Sequence, residues 1–105
     1  MTFRVEITET ALKELEAAFR VIEAQAPMAA ARWRESILKA AASLADKPKR
    51  CPVAPESSFY PGELRHMIVG NRRSAYRLLF EIRGKAVVIL RVRHSAMELL
   101  DPEGL

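Results

Sequence analysis

The sequence predicts an α+β fold with the element order β-α-α-β-β-β, in which a helical hairpin covers one face of the sheet. Three observations predict it: apolar residues recur at helical spacing over residues 9–45, apolar and polar residues alternate over residues 64–94, and a short alternating segment precedes the helices. At 105 residues, the length predicts a single domain spanning 1–105, with a short acidic tail over 95–105.

The N-terminal half predicts one strand and two helices. Residues 2–7 alternate and are rich in β-branched and aromatic side chains, which is typical of a strand. Thr8 can cap a first helix, which ends near Gln25 because Pro27 disfavours the helical conformation of the residue before it. Pro27 then suits the first turn of a second helix that runs to about Ala45. So short a break predicts an antiparallel helical hairpin.

The C-terminal half predicts a long loop followed by a three-stranded antiparallel meander. Residues 47–63 contain four prolines and favour an extended loop, long enough to be a candidate functional loop. Tight turns are expected at Gly70-Asn71 and Gly84-Lys85. Alternation predicts two faces. The face covered by the helices has Tyr76 and Phe80 with Val88, Leu90, Val92 and His94, and the uncovered face has Arg65, Arg77, Arg91 and Arg93.

Positive charge is concentrated in this C-terminal half. The net charge is +4, but it is unevenly distributed. Residues 47–94 carry eleven Lys or Arg and three acidic residues, whereas residues 1–46 carry six Lys or Arg and seven acidic residues. Such a surface predicts a negatively charged partner, either a nucleic acid or an acidic protein. Lys47, Lys49 and Arg50 in the long loop would extend it. A solvated face of ordinary exposed arginines is the simpler alternative.

The sequence does not favour a membrane protein, a secreted protein or a metalloprotein. No apolar run approaches the roughly 20 residues that span a bilayer, and the N-terminus has no signal-peptide pattern. Cys51 is the single cysteine and can form no internal disulfide, so a cytoplasmic protein is expected. No cluster of Cys, His or carboxylates predicts a metal site, and no cofactor is expected.

The chain resembles the RelE/ParE superfamily of bacterial type II toxins, also called plasmid-stabilisation proteins. The resemblance rests on the order and spacing of several short motifs. These are Val5-Glu6-Ile7, Leu12 and Leu15, Arg32-Trp33 with Ile37, the segment 48–56, Leu64-Arg65, Val69-Gly70-Asn71, the segment 76–80 and the segment 88–94. It implies a toxin that is neutralised by a cognate antitoxin, with which it forms a hetero-oligomer. An acidic antitoxin segment is expected along the sheet or in the groove beside the hairpin.

Two activities are known in this superfamily. RelE-like members cleave messenger RNA on the ribosome without a metal, and ParE-like members inhibit DNA gyrase. The resemblance implies that Arg77 matches the arginine that stabilises the phosphate transition state in the nucleases, with Arg65 as a second cation and His94 as a proton-transfer group. A structural role for His94 is the commoner alternative.

The segment after His94 departs from the nuclease pattern. It reads Ser-Ala-Met-Glu-Leu-Leu, with neither the arginine nor the tyrosine that RelE-like nucleases carry there. Metal-free RNA cleavage needs both a base and an acid, and the second group is not evident. The sequence therefore favours the ParE-like branch. The alternatives left open are a RelE-like endoribonuclease and an inactive member that only binds its antitoxin or nucleic acid.

Overall fold

The predicted order of elements is confirmed in the computed structural model, which describes residues 2–71, 75–97 and 99–104. Three short 3₁₀ turns accompany the helices and strands, two of them in the long loop that the sequence predicts as extended. The elements are β1 (Arg4–Ile7), α1 (Glu9–Gln25), α2 (Pro27–Ser43), 3₁₀ turns at Pro48–Arg50 and Pro55–Phe59, β2 (Arg65–Val69), β3 (Tyr76–Arg83), β4 (Ala86–His94) and a 3₁₀ turn at Pro102–Gly104. None of the helices described here is both long and apolar enough to cross a membrane.

The boundaries of the helical hairpin follow from local chemistry. The Thr8 hydroxyl accepts a hydrogen bond of 3.1 Å from the N–H of Ala11, so it caps α1 as predicted. That helix ends at Gln25, and Pro27 begins α2 where its missing N–H costs nothing. Leu15 from α1 and Ile37 from α2 are buried against the sheet. The hairpin therefore covers one face of the sheet, here called the helix face.

The four strands form a mixed sheet in the order β1-β4-β3-β2. β2, β3 and β4 are antiparallel neighbours, which confirms the meander, and β1 lies parallel to β4 at the edge. Gly84, in the predicted turn between β3 and β4, has a φ of 59°, a left-handed conformation that glycine adopts without a steric cost. Gly70 likewise has a φ of 107°, and the residues that follow Asn71 in this connection, 72–74, lie outside the described part of the chain.

A β-bulge in β4 changes the predicted faces. Leu79 lies opposite Arg91 and Phe80 lies opposite Ile89, so Leu90 has no partner in β3. Before the bulge, the helix-face residues are Val87 and Ile89. The predicted placement of Val88 and Leu90 on that face was therefore wrong, because one extra residue reverses the alternation. After the bulge, the predicted helix-face position of Val92 is confirmed.

The face opposite the helices, here called the second face, is not uncovered as predicted. The long loop and the C-terminal tail fold across it and form a small apolar cluster with the sheet. That cluster contains Ala54, Leu64, Leu79 and Leu100, with Tyr60 and Leu90 packed against it. The loop thus acts as a layer of the fold, and the arginines of the second face lie among buried side chains.

Candidate functional site

Arg77 lies on the second face, near the start of β3, and is buried, with only 6% of its side chain exposed. Its Nη1 donates to Glu56 Oε2 at 2.9 Å and its Nη2 donates to Glu56 Oε1 at 2.6 Å, a two-point pairing with that carboxylate. The Arg77 Nε donates to Nδ1 of His66 at 3.1 Å. The N–H of Leu100 donates to Glu56 Oε2 at 3.2 Å. These contacts join β2, β3, the long loop and the tail.

This environment shifts two titratable groups. Burial alone raises the pKa of the Glu56 carboxyl. The hydrogen bonds from Arg77, from its own backbone and from Leu100, together with the charge of Arg77, outweigh burial and lower the pKa of Glu56 to about 2. Burial and the charge of Arg77 lower the pKa of His66, against the opposing charge of Glu56. At neutral pH the site is therefore an ion pair beside a neutral imidazole.

Arg91 forms a second ion pair, partly buried, with Glu14 of α1. Its Nε and Nη2 donate to Glu14 Oε1 and Oε2 at 3.0 and 2.8 Å, and its Nη1 donates to the carbonyl oxygen of Gly104 at 2.5 Å. Glu14 Oε1 also accepts a hydrogen bond from the N–H of Val92 at 2.9 Å. The positive charge of Arg91 is thus balanced inside the molecule.

Arg65 lies on the helix face rather than beside Arg77. Its register partner is Phe80, whereas the partner of Arg77 is Ile68. Residues directly opposite each other in an antiparallel pair share a face. The Arg65 side chain donates to the carbonyl oxygen of Cys51 at 2.5 Å and to Glu63 at 3.0 Å. It therefore holds the long loop against the edge of the sheet.

The basic residues of the long loop, Lys47, Lys49 and Arg50, are all exposed, and Arg50 also has a structural role. Arg50 donates to the backbone carbonyls of Asp46 and Lys47 and to the hydroxyl of Ser43, so it caps the C-terminal end of α2. Lys47 and Lys49 are exposed. Lys49 and Arg50 are the members of the predicted binding set on this loop, and both are exposed to solvent.

Arg93 and His94 occupy the end of β4 on opposite faces. Arg93 is the register partner of Arg77 and lies half-buried on the second face. The ring of His94 packs edge-on against that of Tyr76, with centroids 5.0 Å apart, and its Nδ1 accepts a hydrogen bond of 3.0 Å from the N–H of Ala96. His94 therefore lies on the helix face, as the alternation predicted.

The expectation of four arginines side by side on an uncovered face was wrong. Arg65 is on the other face because the register of β2 places it there, and the long loop covers Arg77. Arg91 shares the second face with Arg77 and Arg93, but Glu14 neutralises it. A binding role for these residues stays a prediction.

Sequence reasoning missed Glu14 and Glu56. Neither residue was among the predicted site residues, and Glu56 entered the sequence analysis only within the segment 48–56. One signal could have drawn attention to Glu56, since it is one of three acidic residues among eleven basic ones in residues 47–94. A buried arginine requires such a partner.

An open apolar groove of about 500 Å³ runs between α1 and the end of β4. One wall of the groove is formed by residues of α1 that recur at helical spacing. The floor and the other wall are formed by residues of β3, of β4 and of the turn after β4. The lining residues are Glu14, Ala17, Ala18, Val21, Tyr76, Val92, His94, Ala96 and Met97. Val21 is 66% exposed and Met97 is 53% exposed, so apolar surface is open to a partner here.

Within the described ranges, no group of three or more His, Cys, Asp or Glu side chains is arranged to hold a metal ion. The side chains gathered on the second face pair with one another. Those around the groove are mainly apolar. The groove is thus suited to binding a protein segment, and the second face is suited to holding the fold together.

Comparison with known proteins identifies relatives of this chain. Residues 5–99 match the family model described as the ParE toxin of the type II toxin–antitoxin system, parDE. Among solved structures, a chain of the chromosomal ParDE TA system from P. aeruginosa is similar, with a TM-score of 0.72 and 20% sequence identity. The alignment covers 89% of this chain and 96% of that chain. No curated protein matches the sequence.

Proposed function

Because the chain belongs to the ParE family, the toxins of type II toxin–antitoxin systems, we propose that it inhibits DNA gyrase by binding it, without cleaving RNA. Its family makes an antitoxin its partner. The ParE-like branch that the sequence resembles acts on gyrase. We therefore also propose that the toxin acts in the cytoplasm, where gyrase is found.

The placement of Arg65 and Arg77 on opposite faces of the sheet is the observation that carries this proposal. A metal-free ribonuclease must bring cations and proton-transfer groups together around one phosphate. Arg77 is held by Glu56, Arg65 is held by the loop, and the Nδ1 of His94 is occupied by a backbone N–H. Three candidate groups of the nuclease hypothesis therefore do not converge.

The apolar groove is the proposed binding site for the antitoxin. Its volume of about 500 Å³ accommodates several aliphatic side chains, and the small residues Ala17 and Ala18 let a partner helix approach α1 closely. The net charge of +4 favours an acidic segment around the apolar contact. We therefore propose that an amphipathic segment of the antitoxin binds in this groove through its apolar face.

Expression of the toxin without its antitoxin tests the target. DNA synthesis and protein synthesis are followed separately after induction, by labelled thymidine and labelled methionine. Early loss of DNA synthesis, with DNA damage, is the expected result. Immediate loss of protein synthesis with cleaved transcripts would contradict the proposal in favour of the ribonuclease, and the absence of growth arrest would indicate an inactive member.

A purified assay gives the direct measurement. We expect the toxin to inhibit DNA supercoiling by purified gyrase, and an equimolar amount of the cognate antitoxin to restore it. The same toxin preparation, added to ribosomes carrying a defined messenger RNA, should leave that RNA intact. Unchanged supercoiling at toxin concentrations far above that of gyrase would contradict gyrase as the target.

A further inference from the structure

The described part of the chain contains three methionines, which lie in different surroundings. Met28 is 75% exposed at the start of α2 and does not line the apolar groove. Met67 packs against the core under the helices, and its sulfur accepts a hydrogen bond of 4.0 Å from the hydroxyl of Ser43. Met97 is 53% exposed and lines the groove between α1 and β4. Of the three, Met97 is therefore the one whose side chain is both exposed and part of the proposed binding site.

An exposed methionine is open to oxidation at its thioether sulfur. In the reaction with hydrogen peroxide, one peroxide oxygen is transferred to the sulfur, the O–O bond breaks, and the other oxygen leaves as water with both hydrogens. The sulfur loses two electrons and the peroxide gains two. The product carries a polar S=O group in place of an apolar thioether, and methionine sulfoxide reductases reverse the change.

A sulfoxide at Met97 would oppose the binding of an apolar partner in the groove. The lining residues are mainly apolar, and the carboxylate among them, that of Glu14, offers acceptor oxygens rather than donors. When the apolar face of a partner covers the groove, the sulfoxide oxygen loses its water and gains no donor from that face. Burial of such an unpaired polar group lowers the affinity by about tenfold or more.

We propose that Met97 is a reversible oxidation site that controls antitoxin binding, with a peroxide as the oxidant. This inference rests on the proposed function, in which the antitoxin binds in the groove. The control acts on the free toxin, because a bound antitoxin covers Met97 and shields it from the oxidant. Loss of the antitoxin exposes Met97, and oxidation then keeps the toxin free until the sulfoxide is reduced.

Protection by the antitoxin tests the accessibility of Met97. The toxin is treated with dilute hydrogen peroxide, alone and with its cognate antitoxin, and the oxidation of each methionine is followed by mass spectrometry of its peptides. With antitoxin about tenfold above the dissociation constant, about one tenth of the toxin stays free, so oxidation of Met97 should slow by about tenfold. Met28, outside the groove, is the internal control and should be oxidised at the same rate in both samples.

The affinity after oxidation tests the consequence for binding. The toxin alone is oxidised, the peroxide is removed, and untreated antitoxin is added in a calorimetric titration. We expect the wild type and Met28→Leu to bind about tenfold more weakly than their own untreated samples, and treatment should not change the affinity of Met97→Leu. Reduction by methionine sulfoxide reductases should restore the affinity of the oxidised wild type.

Met97→Gln imitates the modified side chain without an oxidant, because its amide is close to the sulfoxide in size and polarity. It should bind the antitoxin about tenfold more weakly than Met97→Leu. Equal affinities of these two variants would overturn the proposal. So would a loss of affinity on oxidation of Met97→Leu as large as that of the wild type.

Val21→Glu, on the facing wall of the groove, separates this failure from a failure of the groove itself. If Val21→Glu weakens antitoxin binding and Met97→Gln does not, the antitoxin uses the groove and the oxidation site is wrong. If neither substitution changes the affinity, the antitoxin binds elsewhere, and both proposals are wrong.

Discussion

The carboxylate of Glu14 on α1 accepts a hydrogen bond of 2.9 Å from the backbone N–H of Val92 in β4. β1 pairs with β4 only as far as Ile7, which lies opposite Ile89. Beyond this point, side chains that follow β1 in the chain bind the backbone of β4. The Thr8 hydroxyl donates to the carbonyl oxygen of Leu90 at 3.1 Å, and Glu14 then binds the next backbone group. The side chains of Thr8 and Glu14 therefore take the place of a strand along this edge of β4 after β1 ends.

Glu14→Ala should destabilise the fold, because it leaves Arg91 and the N–H of Val92 without this acceptor. The pair is partly buried, and we expect a loss of about 2 kcal/mol in the free energy of unfolding, measured by urea denaturation. Glu9→Ala, which removes an exposed ion pair with Lys13 on the same helix, is the control and should change stability by less than about 0.5 kcal/mol. Equal effects of the two substitutions would contradict the assigned role of Glu14.

Arg77→Ala should destabilise the protein by about 3–5 kcal/mol, because it leaves the Glu56 carboxylate buried without its cation. The sequence shows no partner for Arg77, so only the structure reveals that this substitution removes half of a buried pair. The double variant Glu56→Gln with Arg77→Met should recover part of the loss. Thermal denaturation of both variants is the measurement, and a singly substituted chain as stable as the wild type would contradict the prediction.

Acid should weaken the fold through Glu56. Its folded pKa of about 2 lies below the ordinary value of 4.5, so the stability it contributes is present above pH 4.5 and is lost as the pH falls towards 2. Between pH 5 and pH 3 this one group should account for about 2 kcal/mol of the loss in unfolding free energy. Urea denaturation of Glu56→Gln should therefore show a shallower pH dependence than that of the wild type. Parallel curves would show that Glu56 does not titrate as stated.

Val21→Glu should weaken antitoxin binding by at least about tenfold while leaving the toxin folded. Val21 is largely exposed in the free toxin, so the substitution costs little there. In the complex it would place a charge against apolar side chains, which costs more than about 1.4 kcal/mol. Leu12→Glu, on the same helix outside the groove, is the matched control. Calorimetric titration with the cognate antitoxin makes the comparison, and equal affinities for the two variants would exclude the groove.

Local chemistry made much of the fold predictable. The hydroxyl of Thr8, the ring of Pro27 and the alternation in residues 64–94 act within a few residues of the boundaries they set. The order of elements, the helical hairpin and the meander could therefore be predicted before the structure. The match of residues 5–99 to the ParE family agrees with the resemblance carried by these motifs.

The candidate site was less predictable because it depends on contacts between distant residues. Glu56 and Arg77 are 21 positions apart, and Glu14 and Arg91 are 77 apart. A single sequence shows the charges of such residues but not which ones meet. The bulge at Leu90 was a further obstacle, because nothing in the local alternation marks where the faces exchange.

The unmatched Leu90 makes β4 one residue longer than its pairing with β3 requires. The core under the helices contains Val87 and Ile89, which precede Leu90 in the chain, and Val92, which follows it. Val87 and Val92 are an odd number of positions apart, and they share a face only because Leu90 is an extra residue. Deleting Leu90 would restore a regular alternation and leave both valines on the helix face, whereas deleting a residue elsewhere in β4 would leave the bulge in place and shift the pairing with β3.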